Sequence, residues 1–225
     1  MHTRLTRWAP FALMLCAAAL PASAQVITVD NADAGFSMLY GEWDSGAYGT
    51  PYGTDYNWSL TTDYGGVPAE AEWRPSLPAA GVYEVTIWYV EGTNRADNAP
   101  FTIHHANGAT PVPVNQQING ETWVSLGSYA FDAGSSGYVT LGNDANTNVV
   151  IADAVRFTWT GGLTDLTMAV TPASSGTTSP TANGTYSYIP GESVPITASP
   201  AAGYAFDYWT VSAGADLFGL VHGLG

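Results

Sequence analysis

The stretch Gly81–Val90, GVYEVTIWYV, constrains the fold more than any other. β-branched and aromatic residues fill it, and glycines at 81 and 92 bound it, which predicts a strand. Side chains alternate across a strand, so Tyr83, Val85, Ile87 and Tyr89 share one face and belong on a core. Glu84, Thr86 and Trp88 share the other face. Trp88 is the one apolar member of that polar face. It stands either at the surface or beneath a covering loop. The loop that follows, EGTNRADNAP, is dense in hydrogen-bonding groups and holds Arg95.

The rest of the chain repeats this theme in shorter pieces. Residues 25–30, 69–73, 101–105, 111–117, 123–131, 138–141 and 149–158 each read as strands separated by turn residues. The prolines of the 111–117 piece suit a sheet edge. Gly127 suits a bulge inside 123–131. No convincing helical period follows residue 24. Short strands with frequent turns predict an all-β antiparallel sandwich, jelly-roll-like. Residues 31–75 read as a long irregular segment, apart from the strand at 69–73. Trp43, Tyr48, Tyr52, Tyr56, Trp58 and Tyr64 punctuate it. Long structureless segments in compact domains are usually functional.

The first 24 residues have a different logic. Arg4 and Arg7 precede an apolar run, Phe11–Leu20, and Ala22-Ser23-Ala24 fits a cleavage site. This predicts a secretory signal cut after Ala24. Leu15 before Cys16 is too bulky for a lipoprotein signal, and the run is too short to span a bilayer. The chain's single cysteine falls within this leader, so disulfides are excluded from the remainder.

Charge narrows the partners. Nineteen acidic residues stand against five Lys+Arg, a formal net charge of −14. No lysine occurs, and Arg74, Arg95 and Arg156 are the cations beyond the leader. Nucleic acid and anionic membranes are poor partners for such a surface. Neutral glycans and divalent cations are compatible with it.

Enzyme signatures are missing. There is no G-x-S-x-G, no H-E-x-x-H and no cysteine nucleophile after the leader. His104 and His105 are adjacent on a strand, face opposite ways, and do not share a metal. No acidic pair carries the context of a general acid.

The motifs VDNADAGFS (Val29–Ser37), LPAAGVYEVTIWY (Leu77–Tyr89), NRADNAPFTIHH (Asn94–His105), VNQQ (Val114–Gln117), WVSLGSYAF (Trp123–Phe131) and VVIADAVRF (Val149–Phe157) occur in this order. In them residues 26–157 resemble the golvesin C-terminal-like domain, also described as xanthan-lyase carbohydrate-binding-like. That resemblance implies a noncatalytic β-sandwich appended to secreted bacterial enzymes and surface proteins. Beyond Gly161-Gly162 the character changes. LTMAVTP, YIPGESVPITASP and AAGYAFDYW resemble a bacterial extracellular repeat of the internalin type. The closing strands that this second resemblance implies after Trp209 are not legible. The expected organisation is a signal over 1–24, a sandwich over 25–160, a partial β-rich repeat over 163–216 and an unstructured tail over 217–225.

These readings combine into a secreted glycan-binding module, expected as a monomer, whose partner is a polysaccharide or cell-surface glycan. The alternatives are an adhesive spacer that recognises protein, or a fragment of a polysaccharide lyase or hydrolase. Sugar rings stack on exposed aromatics and are oriented by a few polar groups. Trp88, Arg95 and Asn98, walled by Tyr48, Tyr52 or Trp58, form the candidate binding set.

Asp153 is the candidate of another kind. In VVIADAVRF it alternates with Val149, Ile151, Val155 and Phe157, a carboxylate within an apolar row. Burying it ionised is costly unless it is paired or metal-bound. Backbone N–H groups, Arg74 or Arg95, or a structural Ca²⁺ that also draws oxygens from Asp30, Asn31 or Asp33 each answer that need. Many jelly-roll glycan modules resemble the calcium plan, with the ion between first and last strands.

Overall fold

The structure, a computed structural model, describes residues 25–190 and 193–209. The expected signal and its cleavage site, the end of the repeat and the 217–225 tail lie outside the described residues. Twelve strands build the first module: β1 (Val26–Val29), β2 (Phe36–Tyr40), β3 (Asp44–Gly46), β4 (Tyr56–Leu60), β5 (Glu70–Trp73), β6 (Gly81–Trp88), β7 (Ala99–His105), β8 (Gly108–Val114), β9 (Val124–Phe131), β10 (Tyr138–Gly142), β11 (Val149–Ala152) and β12 (Ala154–Gly161). Among the described residues the only helix is a 3₁₀ turn, Thr62–Tyr64. No helix there is long and apolar enough to cross a membrane.

The strands form a four-stranded sheet, β1-β12-β6-β9, a five-stranded sheet, β2-β5-β10-β7-β8, and a small third sheet, β11-β4-β3. All ladders are antiparallel. The chain is therefore all-β, as its alternation predicts.

The inner face of β6 behaves as expected. Tyr83, Val85, Ile87 and Tyr89 are buried in one core with Phe131, Val155 and Phe157. Trp73, Phe101, Ile103, Val139 and Leu141 enter that core from the five-stranded sheet. Each such side chain contributes roughly 1.5–3 kcal/mol through removal from water. The proline-bearing β8 is an edge strand. In β9 the register shifts opposite Val85/Thr86, and Gly127 has φ +117°, the expected bulge.

Two readings need correction. The segment 31–75 is not irregular: it holds β2, β3, β4 and the 3₁₀ turn besides β5. These strands have three to five residues and are interrupted by Gly, Asp and Thr, so alternation never becomes visible. Their partners are also distant, β4 pairing with β11 and β5 with β10. Residues 149–158 are likewise not one strand. The chain leaves the third sheet at Ala152, enters the four-stranded sheet at Ala154, and Asp153 is the joint.

After residue 162 the described residues form two separate ladders. β13 (Thr164–Thr167) pairs with β15 (Thr185–Tyr188), and β14 (Gly176–Ser179) with β16 (Thr197–Pro200). Two-stranded ladders of this length are marginal by themselves.

Candidate functional site

Two clusters meet at one end of the four-stranded sheet. The first is aromatic. Trp88 ends β6, and its neighbour on the outer face is Ala154, too small to cover it. The loop between β3 and β4 lies over this position, and Trp88 Nε1 donates to the Thr50 carbonyl at 2.9 Å. The loop is tied down again where the Thr50 N–H donates to Glu121 Oε1 at 3.1 Å. This brings the Tyr52 ring to 6.1 Å from Trp88 and 5.1 Å from Trp123, with Trp88 and Trp123 5.5 Å apart. All three contacts are edge-to-face, the geometry that aromatic quadrupoles favour. The three rings are half-buried. Trp88 is thus neither bare nor lost in the core.

Arg156 completes this cluster. Its position on β12 pairs with Thr86 and Thr28, on the outer face that Trp88 shares. Its guanidinium carbon lies 4.2 Å from the centre of the Trp123 ring. Sequence reading missed Trp123 and Arg156. The signal was present: Val155 and Phe157 face the core, so Arg156 between them faces out.

The second cluster surrounds Asp153, which is 1% exposed. Its carbonyl accepts from Trp73 Nε1 at 3.0 Å, and its Oδ2 accepts from the Tyr52 N–H at 3.1 Å. Its Oδ1 is buried with no hydrogen-bond partner. Burial above all, then repulsion from Asp30 and Asp55, pushes the carboxyl up to about 8 against the opposing Tyr52 N–H. Neither Arg74 nor Arg95 neutralises it. Arg74 pairs bidentately with Glu72 at 2.6 and 2.8 Å. Arg95 spends its three donor nitrogens on Val90, Asn94 and the Tyr56 hydroxyl.

Asp30, whose charge acts on Asp153, lies in the turn after β1 and is followed by Asn31. Asn31 Nδ2 donates to Asp55 at 2.8 Å and Asn57 at 3.2 Å, while Asp30 Oδ1 and Asn31 Oδ1 remain buried and unpaired. Burial raises the Asp30 carboxyl as well. Gly53 has φ +79°, and a Cβ there would lie 2.8 Å from Asp30 Oδ2. Glycine therefore closes this turn for both conformational and steric reasons. Asp33 is used differently. Its Oδ2 accepts from the Asp30 N–H at 2.9 Å and shapes the turn. Among the described residues no group of three or more His, Cys, Asp or Glu side chains is placed to hold a metal. The unpaired oxygens are instead two carboxylates and one amide, a donor set of the hard type that suits calcium.

The other candidates lie apart. Arg95 fastens its own loop, with further hydrogen bonds to its carbonyl from Gln117 and Thr147. Asn98 accepts from the Asn146 N–H at 2.7 Å and lines an open polar pocket of about 410 Å³ with Asp63 and Asp144. Tyr48 is 83% exposed. Trp58 belongs to β4, opposite Ile151, and packs half-buried against the core. His104 and His105 stack on Tyr138 and Tyr129 at 4.1 and 5.0 Å.

Comparison with known proteins gives this arrangement a context. Residues 27–159 match the family described as Golvesin C-terminal domain, and residues 166–216 match the divergent InlB B-repeat domain. Xanthan lyase of Bacillus sp. (strain GL1) is 38% identical over 140 residues, 60% of this chain and 15% of that protein. The solved structure of Paenibacillus xanthan lyase is 37% identical, with a TM-score of 0.56, over 60% of this chain and 13% of that one. The chain thus spans well under a fifth of either relative.

Proposed function

The chain belongs to the Golvesin C-terminal domain family, and from that premise we propose that its first module is a secreted, noncatalytic carbohydrate-binding module. It serves as an accessory part of a larger extracellular enzyme or surface protein. The observation that carries this reading is the cluster of Tyr52, Trp88 and Trp123, three partly exposed rings gathered on one sheet face beside a cation. Rings so placed take up the apolar faces of sugars, and neighbouring polar groups set their orientation. The InlB-like segment acts as a spacer to the next part of such a protein.

Asp30, Asn31 and Asp153 would hold a structural calcium ion. Such an ion neutralises the buried charge and clamps the first turn to the last strands. Because the Tyr52 N–H is bound to Asp153, the ion also steadies the loop that carries the Tyr52 ring.

Retention on a panel of insoluble polysaccharides tests the reading. The wild-type chain is expected to bind at least one of them, and Trp123→Ala to lose that retention while remaining folded. No retention on any of them would favour an adhesive spacer.

A further inference from the structure

Arg156 differs from the other two arginines of the module. Arg74 is consumed by Glu72 and Arg95 by its own loop. The Arg156 side chain forms no hydrogen bond or ion pair among the described residues, and its Nε is buried without an acceptor. Glu84, two residues from Thr86 along β6, hydrogen-bonds to Ser125 at 3.1 Å instead. Directly across the ladder from Arg156, the Thr86 hydroxyl is also buried and unpaired. A half-buried guanidinium that stacks on a tryptophan is held in place, and its two terminal nitrogens, which the protein leaves without a hydrogen bond, remain for a planar anion.

We propose that Arg156 receives the carboxylate of a uronic acid residue whose ring packs against Trp123 and Trp88. The proposal rests on the carbohydrate-binding reading and names its ligand class. A net charge of −14 repels a long run of anions, so the fitting glycan spaces its uronates with neutral sugars. The ring edges around Arg156 then meet the rest of the sugar, while the guanidinium supplies the discrimination between acid and neutral sugar.

The test follows the tryptophan indole N–H signals of the full chain by nuclear magnetic resonance. The probes are glucuronate, galacturonate and mannuronate, each against its neutral counterpart glucose, galactose or mannose. At least one acid is expected to bind roughly tenfold or more tightly than its neutral partner, as a charge-assisted pair allows. Arg156→Gln should abolish that preference, and Arg156→Lys should restore part of it. Melting curves of both variants establish that they are folded. Equal binding of acid and neutral sugars, or an acid preference that survives Arg156→Gln, would overturn the proposal and leave the carbohydrate-binding reading intact. Silence towards all six sugars, together with no retention on any polysaccharide, would overturn both.

Discussion

Tyr52 donates its backbone N–H to the Asp153 carboxylate at 3.1 Å while its ring stands 5.1 Å from Trp123. One residue therefore belongs to both clusters. Anything that changes the state of Asp153 reaches the aromatic face through a single hydrogen bond. The loop from 47 to 55 contains no strand between β3 and β4 and depends on such ties for its position.

Chelation is expected to expose this linkage. A cation bound to the folded state stabilises it by mass action. EDTA should lower the melting temperature, and added Ca²⁺ should restore it. Asp153→Ala should remove the response. A melting curve indifferent to EDTA in the wild type, with Asp153→Ala destabilised, would leave a carboxyl held by hydrogen bonds alone.

The pH dependence has a definite sign. The folded-state value of Asp153, about 8, lies above the ~3.9 of an unfolded aspartate. Between those values the folded state binds more protons than the unfolded one, so stability falls as pH rises from about 4 to about 8. With EDTA present the melting temperature should decline across this window. With Ca²⁺ present the cation replaces the proton, and the decline should flatten. Calcium should accordingly matter little near pH 4 and most near pH 8.

Trp88 should carry both stability and binding. Trp88→Ala removes a half-buried ring, two edge-to-face contacts and the hydrogen bond to Thr50, and is expected to cost ~1–3 kcal/mol as well as polysaccharide retention. Trp88→Phe keeps a ring but not the donor, and should recover much of the retention. Denaturant melts and pull-down assays on the same preparations check this. A loss of retention with no loss of stability would mean that the loop does not lean on Trp88.

Arg95→Ala is expected to act on stability alone. Three donor contacts disappear from a loop that carries no ring of the aromatic cluster. A cost of ~1–3 kcal/mol follows from net hydrogen-bond values. Retention on polysaccharide should remain at the wild-type level. Weaker retention with an unchanged melt would return Arg95 to the binding surface.

Gly53→Ala tests the Asp30 turn. A side chain at φ +79° is strained, and its Cβ would crowd Asp30 Oδ2. The expected cost is on the order of 1 kcal/mol or more, with a blunted response of the melt to Ca²⁺. A full calcium response in this variant would take Asp30 out of the ion's ligand set.

Alternation in β6 was enough to assign an all-β fold and to place Tyr83, Val85, Ile87 and Tyr89 in the core, because period-two burial is a local property. The edge position of β8 and the bulge at Gly127 were legible for the same reason: proline and glycine act on their own backbone. Asp153 announced itself as a carboxylate among apolar neighbours. Tertiary structure alone decided what that residue meets. The partners of Asp153 are Tyr52 and Trp73, 101 and 80 residues away along the chain. Likewise, Trp88, Trp123 and Arg156 sit on separate strands or loops, and only strand pairing gathers them. The short strands within 31–75 are not legible in the sequence because they are specified by the strands they pair with, and pairing across such distances leaves no mark on a local pattern.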